Sequence, residues 1–523
     1  MSNYTKAEAL LDKSIALAVT AGNLPVEQAL RLARAQLVLD LCQYADHNRS
    51  VDVEADLEAS QSNLDPLETL TWWLRWQELS GLLGAVTGDT QRMISTAESS
   101  LKHVTNVLEQ AESFAEKAEY LSRLSFIADL GILGYLSEAG PPAGLRFARR
   151  VFARLIGSET AVFQTPEGVA ELYLLNPVTP DWCGVLVSAG ESCTFYELES
   201  VGKDFWNEAI DELRPGFFSG MSALRQPGGT GQFADLLEEW VLAASGALGP
   251  VLTDLHDADY KEIVVFAFGG WCTVPVSALQ LPGPQGSALI EQAAIAHGPD
   301  QFVAHEPRLD RVLHVVDARL TEAKAETKML QSFAKEVVTC TVRRDVQAVL
   351  GEGQAFDCIH FTTHGEHDFD HLEGVGIRCA DDELLTARWF FENAKLKGGP
   401  LVCLAACQTG LSDFANLPHE TFGLPMAFLA AGASAVIGTQ WPVDDVATRL
   451  LITRFYLELK SGCSTAESLR RAQLWLRNAD DASLEDASTG AMRFSSFDGN
   501  WQNPDLPPFS HAYFWAGFVL HRA

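Results

Sequence analysis

The sequence predicts an α/β fold, a parallel-rich sheet flanked by helices, preceded by an all-α region, and three observations carry this. Up to about residue 156, apolar residues recur at three- and four-residue spacing, the period of an amphipathic helix. From about residue 160, short apolar runs bounded by turn residues alternate with helical periods, the pattern of a parallel sheet with crossover helices. Two of these runs end on a reactive side chain and then turn. Residues 356–363 lead into His364-Gly365, and the apolar run 401–406 leads into Cys407-Gln408-Thr409-Gly410.

In chain order, the first helices are expected over 7–19, 26–44 and 67–86. Asn23 and Asp65 stand at cap positions, with Pro25 and Pro66 near the first turns. A polar, acidic connector, 46–65, is expected to separate the second helix from the third. Further helices are expected over 89–110, 116–136 and 143–155. Paired helices of this kind resemble a tetratricopeptide-type array, although no clean 34-residue period runs through them. Trp72, Trp73 and Trp76 read as core packing rather than as an exposed partner patch.

Past residue 160, strands are expected at 161–163, 170–175, 184–187 and 263–268, with helices at 203–213 and 233–247. A strand at 312–316, a helix at 321–334, a strand at 337–342 and a helix to Leu350 then precede the strand that ends at His364. A helix over 384–396 is expected to cross over to the cysteine strand. After it come a helix at 419–431, a strand to Thr439 and a helix over 445–459. Residues 478–510 form a long polar insertion, a length that is functional or disordered in most folds.

Composition sets limits. A chain of 523 residues has room for two or three domains. With 38 Lys and Arg against 69 Asp and Glu, the net charge of −31 argues against nucleic acid or an anionic membrane as partner. Ten cysteines without a short regular spacing and no signal segment lead to the expectation of a reducing, cytoplasmic setting. The longest apolar run, 422–438, is broken by Gly423, Pro425 and Gly432, and so reads as a buried helix turning into a strand rather than as a membrane span.

In an open α/β sheet, ligands sit at the carboxyl ends of the strands. Parallel strands joined by a crossover would bring His364 and Cys407 to one such edge. There His364 can manage protons while the Cys407 thiolate attacks a carbonyl carbon. Cys358 and Cys403, inside their strands, read as small buried hydrophobes. A competing reading takes His360, His364, His367 and His371 as metal ligands, which would need three or four of them on one face. No H-E-x-x-H, G-x-S-x-G or phosphate-loop motif is present, and Gly228-Gly229-Thr230-Gly231 lacks the lysine that a phosphate loop needs.

The box Ala405-Ala406-Cys407-Gln408-Thr409-Gly410 resembles that of CHAT domains, the caspase- and separase-related peptidases of clan CD. Three further segments resemble the family's in the same order: Leu384-Leu385-Thr386-Ala387, the strand and tryptophan loop from Gly432 to Asp444, and the closing His511-Ala512-Tyr513-Phe514-Trp515-Ala516-Gly517-Phe518. The resemblance implies a caspase-like module with a supporting half at 157–307 and a catalytic half at 308–523, behind a helical regulatory domain at 1–156. It implies a cysteine endopeptidase with a His364–Cys407 dyad, no metal or other cofactor, and the backbone N–H groups of Gly365 and Cys407 as oxyanion donors. The loop 440–445 is then expected to build the substrate groove. Trp441 would pack on a substrate side chain, and Asp444, Asp445 or Asp413 would meet a cation, although Asp444 also suits a helix cap. A protein substrate, a regulatory protein partner on the helical domain and a bacterial defence role complete what the resemblance implies. A catalytically silent scaffold and a metal-dependent hydrolase are the alternatives.

Overall fold

The structure is a computed structural model that describes residues 2–44, 49–61, 64–66, 68–110, 114–155, 165–179, 182–198, 229–267, 269–283, 287–298, 308–366, 375–405, 423–480, 482–484 and 506–522. The chain divides into two compact units, Met1–Phe163 with Leu175–Ser188 and Ser192–Lys203, and Gln164–Leu174 with Ala189–Glu191 and Asp204–Ala523. Among the described residues no helix is long and apolar enough to cross a membrane.

The first unit is built on helices α1 (Ser2–Ala21), α2 (Leu24–Tyr44), α3 (Ser50–Gln61), α4 (Leu70–Thr87), α5 (Thr90–Gln110), α6 (Phe114–Ala139) and α7 (Pro141–Leu155). Each packs on the next in the chain, and α2 and α6 also pack on α4. The third of these helices corrects the sequence reading, which expected a connector there. It buries Val53 and Leu57 one turn apart, and next to them Asp56 and Ser60, so its inner face is half polar and carries a weak apolar signal. Asp56, 1% exposed, is tolerated there because Arg34 donates to both its oxygens (Nε to Oδ2 2.7 Å, Nη2 to Oδ1 2.6 Å) and Arg31 adds a third bond at 3.2 Å. Gly131 lets α6 approach its neighbours closely, since a Cβ there would lie 2.4 Å from Ala97 and 2.6 Å from Phe147. Of the three tryptophans of α4, Trp73 is buried, Trp76 is half-buried with its Nε1 donating to Leu57 O (2.9 Å), and Trp72 is exposed.

The second unit is organised by one large sheet. Its strands are β1 (Val169–Thr179), of which Val169 to Leu174 belong to this unit, β4 (Glu262–Ala267), β5 (Ala294–His297), β6 (Arg311–Val316), β7 (Glu336–Cys340), β8 (Cys358–Thr362), β12 (Leu401–Leu404), β13 (Ala435–Thr439) and β14 (Phe518–Arg522). Strands β2 (Trp182–Ala189) and β3 (Ser192–Glu197) lie mainly in the first unit. The sheet runs β1-β4-β5-β14-β13-β12-β8-β6-β7. Neighbours are parallel throughout except at β13–β14, where Ile437 faces Leu520 in an antiparallel ladder. Two parallel halves of opposite direction therefore meet there, and the last strand of the chain completes the earlier half.

Within the later half the order is 2-1-3-4-5, so the chain reverses its winding between β6 and β8, the place where an open sheet leaves a crevice at its carboxyl edge. A second, small antiparallel sheet follows β8: β9 (His364–Glu366), β10 (Gly376–Arg378) and β11 (Leu384–Thr386), in the order β11-β10-β9. The helix expected over 384–396 thus opens as a strand. It becomes helical only at Ala387–Asn393, because the Thr386 hydroxyl accepts from Trp389 N (3.2 Å) and sets the cap there. The long helices Asp445–Lys460 and Thr465–Asn478 pack on each other and close the core. The expected strand at 161–163, the helix at 203–213 and most of the 478–510 insertion lie outside the described residues.

Candidate functional site

Strand β8 is buried from Cys358 to Thr362, as its apolar run requires, and β12 lies directly beside it in parallel, with Leu401 opposite Cys358 and Leu404 opposite Phe361. Both strands therefore end at the same edge. His364 emerges two residues past β8, exposed where its strand neighbours are buried. Cys407, three residues past β12, lies outside the described residues, as do Asp413, His367 and His371. Gly365 is buried in β9 opposite Ile377, and His364 stands opposite Arg378.

Two carboxylates from separate elements lie within electrostatic range of His364. Asp317 directly follows β6, and its N–H donates to Thr362 O (2.9 Å), so it sits at the other lip of the crevice. Hydrogen bonds from Arg319 hold its carboxyl below the usual range against the opposing effect of burial, and His364 adds to the lowering. Asp445 opens the helix Asp445–Lys460. Its side chain reaches solvent, yet neighbouring groups desolvate the carboxylate and raise its pKa; His364 pulls it back and Glu326 pushes it further up.

Behind the edge lies a buried polar network. His360 Nδ1 is hydrogen-bonded to the Tyr456 hydroxyl (3.0 Å) and Nε2 to Glu326 Oε2 (3.1 Å). Thr362 Oγ1 donates to the same Glu326 oxygen and is itself hydrogen-bonded to His314 Nε2 (3.0 Å). Tyr456 also meets the sulfurs of Cys358 and Cys403. Burial drives the His314 pKa down to about 3 and the Cys358 thiol up to about 12, so both stay neutral near pH 7. Cys403 is likewise pushed up by burial, the inert behaviour expected of a strand-interior cysteine. Both ring nitrogens of His360 are engaged in this core. Among the described residues no group of three or more His, Cys, Asp or Glu is arranged to hold a metal ion.

The loop after β13 departs from the expectation drawn for it. Trp441 is fully buried; its Nε1 donates to Tyr513 O (2.9 Å), and its ring lies so close to Gly517 that a Cβ there would be 2.7 Å away. Gln440 Nε2 donates to Cys272 O (2.8 Å). Trp441 therefore offers no surface to a substrate side chain: the loop is a core strut, because its indole and amide both find backbone acceptors inside the fold. Asp444 caps the helix that follows, Oδ1 accepting from Ala447 N (2.8 Å), with its pKa pushed up to about 6, chiefly by burial. The sequence reading missed Asp317, Arg319, Glu326, His314 and Tyr456, none of which stands in a local motif.

Comparison with protein families matches residues 243–523, more than half of the chain, to the CHAT domain. A search of curated proteins found no match. Among solved structures the chain is similar to two crystal structures of the Saccharomyces cerevisiae separase–securin complex, at 2.6 and 3.0 Å resolution, with TM-scores of 0.47 and 0.48 and 9% and 10% identity. Each match covers 95% of this chain and 40% of the other.

Proposed function

Since the chain belongs to the CHAT domain family, whose fold is that of caspase-like cysteine peptidases, we propose that it is a cysteine endopeptidase acting through His364 and Cys407. The observation that carries this reading is the parallel register of β8 and β12, which ends both strands at one edge of the sheet with His364 exposed there. In this reading Cys407 attacks the scissile carbonyl, and His364 takes the thiol proton and passes it to the leaving amine. The same imidazole then activates the water that hydrolyses the acyl-enzyme. The N–H groups of Gly365 and Cys407 receive the oxyanion, each worth a few kcal/mol in such sites, about 3–4 kcal/mol at the upper end. Of the acids expected to meet a substrate cation, Asp444 is committed to its helix cap, which leaves Asp445 and Asp413 for a basic side chain before the cleaved bond.

The helical domain, 1–156 in the sequence reading, receives a protein partner that controls the peptidase, as in defence-type members of the family. That role rests on the family resemblance. In a proteome digest with mapped new amino termini, Cys407→Ala and His364→Ala should each cut cleavage by roughly a thousandfold or more. Cys403→Ala should retain cleavage, at a stability cost of about 1 kcal/mol. Cleavage by Cys407→Ala at the wild-type rate would refute the mechanism. Cleavage abolished by a chelator, with Cys407→Ala still active, would point to the metal-dependent reading. A soluble chain lacking residues 1–156 with unaltered, partner-responsive activity would refute the regulatory reading.

A further inference from the structure

We propose that Asp317 is a positioning residue for His364, and that Arg319 both tempers the charge Asp317 presents to the imidazole and fastens the His364-bearing sheet to the edge of the large one. The inference rests on the reading of His364 as the base of the peptidase. Asp317 extends the β6–β8 ladder by one residue beyond Val316 opposite Thr362, which sets it beside the strand that delivers His364. Its side chain is 1% exposed. A carboxylate so enclosed needs strong partners, and Arg319 supplies them: Nε donates to Oδ1 (2.9 Å), Nη2 to Oδ2 (2.7 Å), and the Arg319 backbone N–H to Oδ1 (3.0 Å).

The same guanidinium reaches Asp382 Oδ1 at 2.9 Å, on the turn between β10 and β11. There Asp382 holds a left-handed backbone (φ 62°), and the Arg378 guanidinium donates to its carbonyl oxygen. That turn is docked on the end of β7 as well, where Ala380 N–H donates to Thr341 O (2.9 Å) and Arg343 N–H donates to the Asp381 carboxylate. Since β10 pairs with β9, with Arg378 opposite His364, whatever holds this turn holds the backbone that carries the imidazole. Arg319 and Asp382 are well exposed, and an exposed ion pair contributes little to global stability. A two-pronged grip on a buried carboxylate at the winding reversal therefore has a local consequence instead.

Among the described residues, the charged groups around His364 are Asp317 just after β6, Asp445 from the helix Asp445–Lys460, Arg378 from β10, and Arg319 behind Asp317. With Arg319 present, the Asp317 charge within electrostatic range of the imidazole is largely balanced. Removing Arg319 bares that charge and favours imidazolium. Removing the charge of Asp317 takes a carboxylate from the surroundings of the imidazole and leaves Arg319 balanced by Asp382 alone, which favours the neutral ring. The two changes should move the titration of His364 in opposite directions.

The test is a pH titration of His364 by NMR in the full-length Cys407→Ala chain carrying ¹³C-labelled histidine, with His364→Gln assigning the signal. Arg319→Met should raise the midpoint and Asp317→Asn lower it, each by roughly one pH unit, while Arg319→Lys, which keeps the charge, stays within a few tenths of the parent. The acid limb of kcat/KM in the chain that retains Cys407 should move the same way. Should Arg319→Met fail to fold, Asp317→Asn decides, and an unmoved or raised midpoint there overturns the proposal. Midpoints that do not move, or that move together, overturn it in any case. If the midpoints split as expected while no chain cleaves any peptide, the charge arrangement stands and the peptidase reading falls.

Discussion

A single buried carboxylate shows how far one residue can set the behaviour of a domain. Asp129 of α6 is fully buried and accepts from Asn176 Nδ2 (3.0 Å), and burial raises its pKa to about 7. Its folded form thus holds a proton that the unfolded chain releases near the ordinary carboxyl value of 3.8. Between those two values the folded state binds more protons than the unfolded one, so stability is highest at the acid end of the window, falls as pH rises, and levels off above about 7. Thermal melts from pH 4 to 8 should show this slope in the wild-type chain and lose most of it in Asp129→Asn; equal slopes would show that Asp129 does not titrate in this way.

Legibility was uneven at this scale. His364 could be found because an apolar run stops at it. Asp317 could not, since an aspartate after a strand is ordinary until the register of β6 and β8 sets it beside that histidine. Trp441 misled because the turn after a strand usually faces solvent, whereas here Gly517 opens a slot for the ring inside the core.

Between elements, the contacts that matter are polar and buried. Tyr456, on the helix Asp445–Lys460, ties that helix to His360 on β8 and touches the sulfurs of Cys358 and Cys403. Tyr456→Phe keeps the ring but leaves His360 Nδ1 unpaired in a site with no exposed surface. It should cost about 1–3 kcal/mol, read as a lower urea midpoint at unchanged slope. A loss below about 0.5 kcal/mol would show that the network relaxes around the missing hydroxyl.

The sequence made the long helices and the buried strands plain, because their periods run for many residues. The short pieces escaped it. Strands β10 and β11 are too brief to display an alternation, and the helix Ser50–Gln61 hides its apolar stripe beside one buried acid, Asp56, that needs Arg31 and Arg34 from α2. These elements exist because of partners distant in the chain, which no local window contains.

For the whole molecule, the expectation of an α/β sheet behind a helical region holds, and the family match covers the part that carries the candidate site. The antiparallel seam at β13–β14 was not readable, since strand order is a property of the folded chain rather than of any stretch of it. The site itself follows from topology: the winding reverses between β6 and β8, and β12 lies next to β8. In the proposed mechanism an imidazole at this edge activates the thiol of Cys407.

Alkylation by iodoacetamide, mapped residue by residue by mass spectrometry, tests that claim without any knowledge of the substrate. At pH 7 Cys407 should react well ahead of the half-buried Cys193 and Cys463, and His364→Ala should slow it by roughly tenfold or more while leaving the other two unchanged. Alkylation of Cys407 no faster than Cys463, or at the same rate with and without the imidazole of His364, would contradict it.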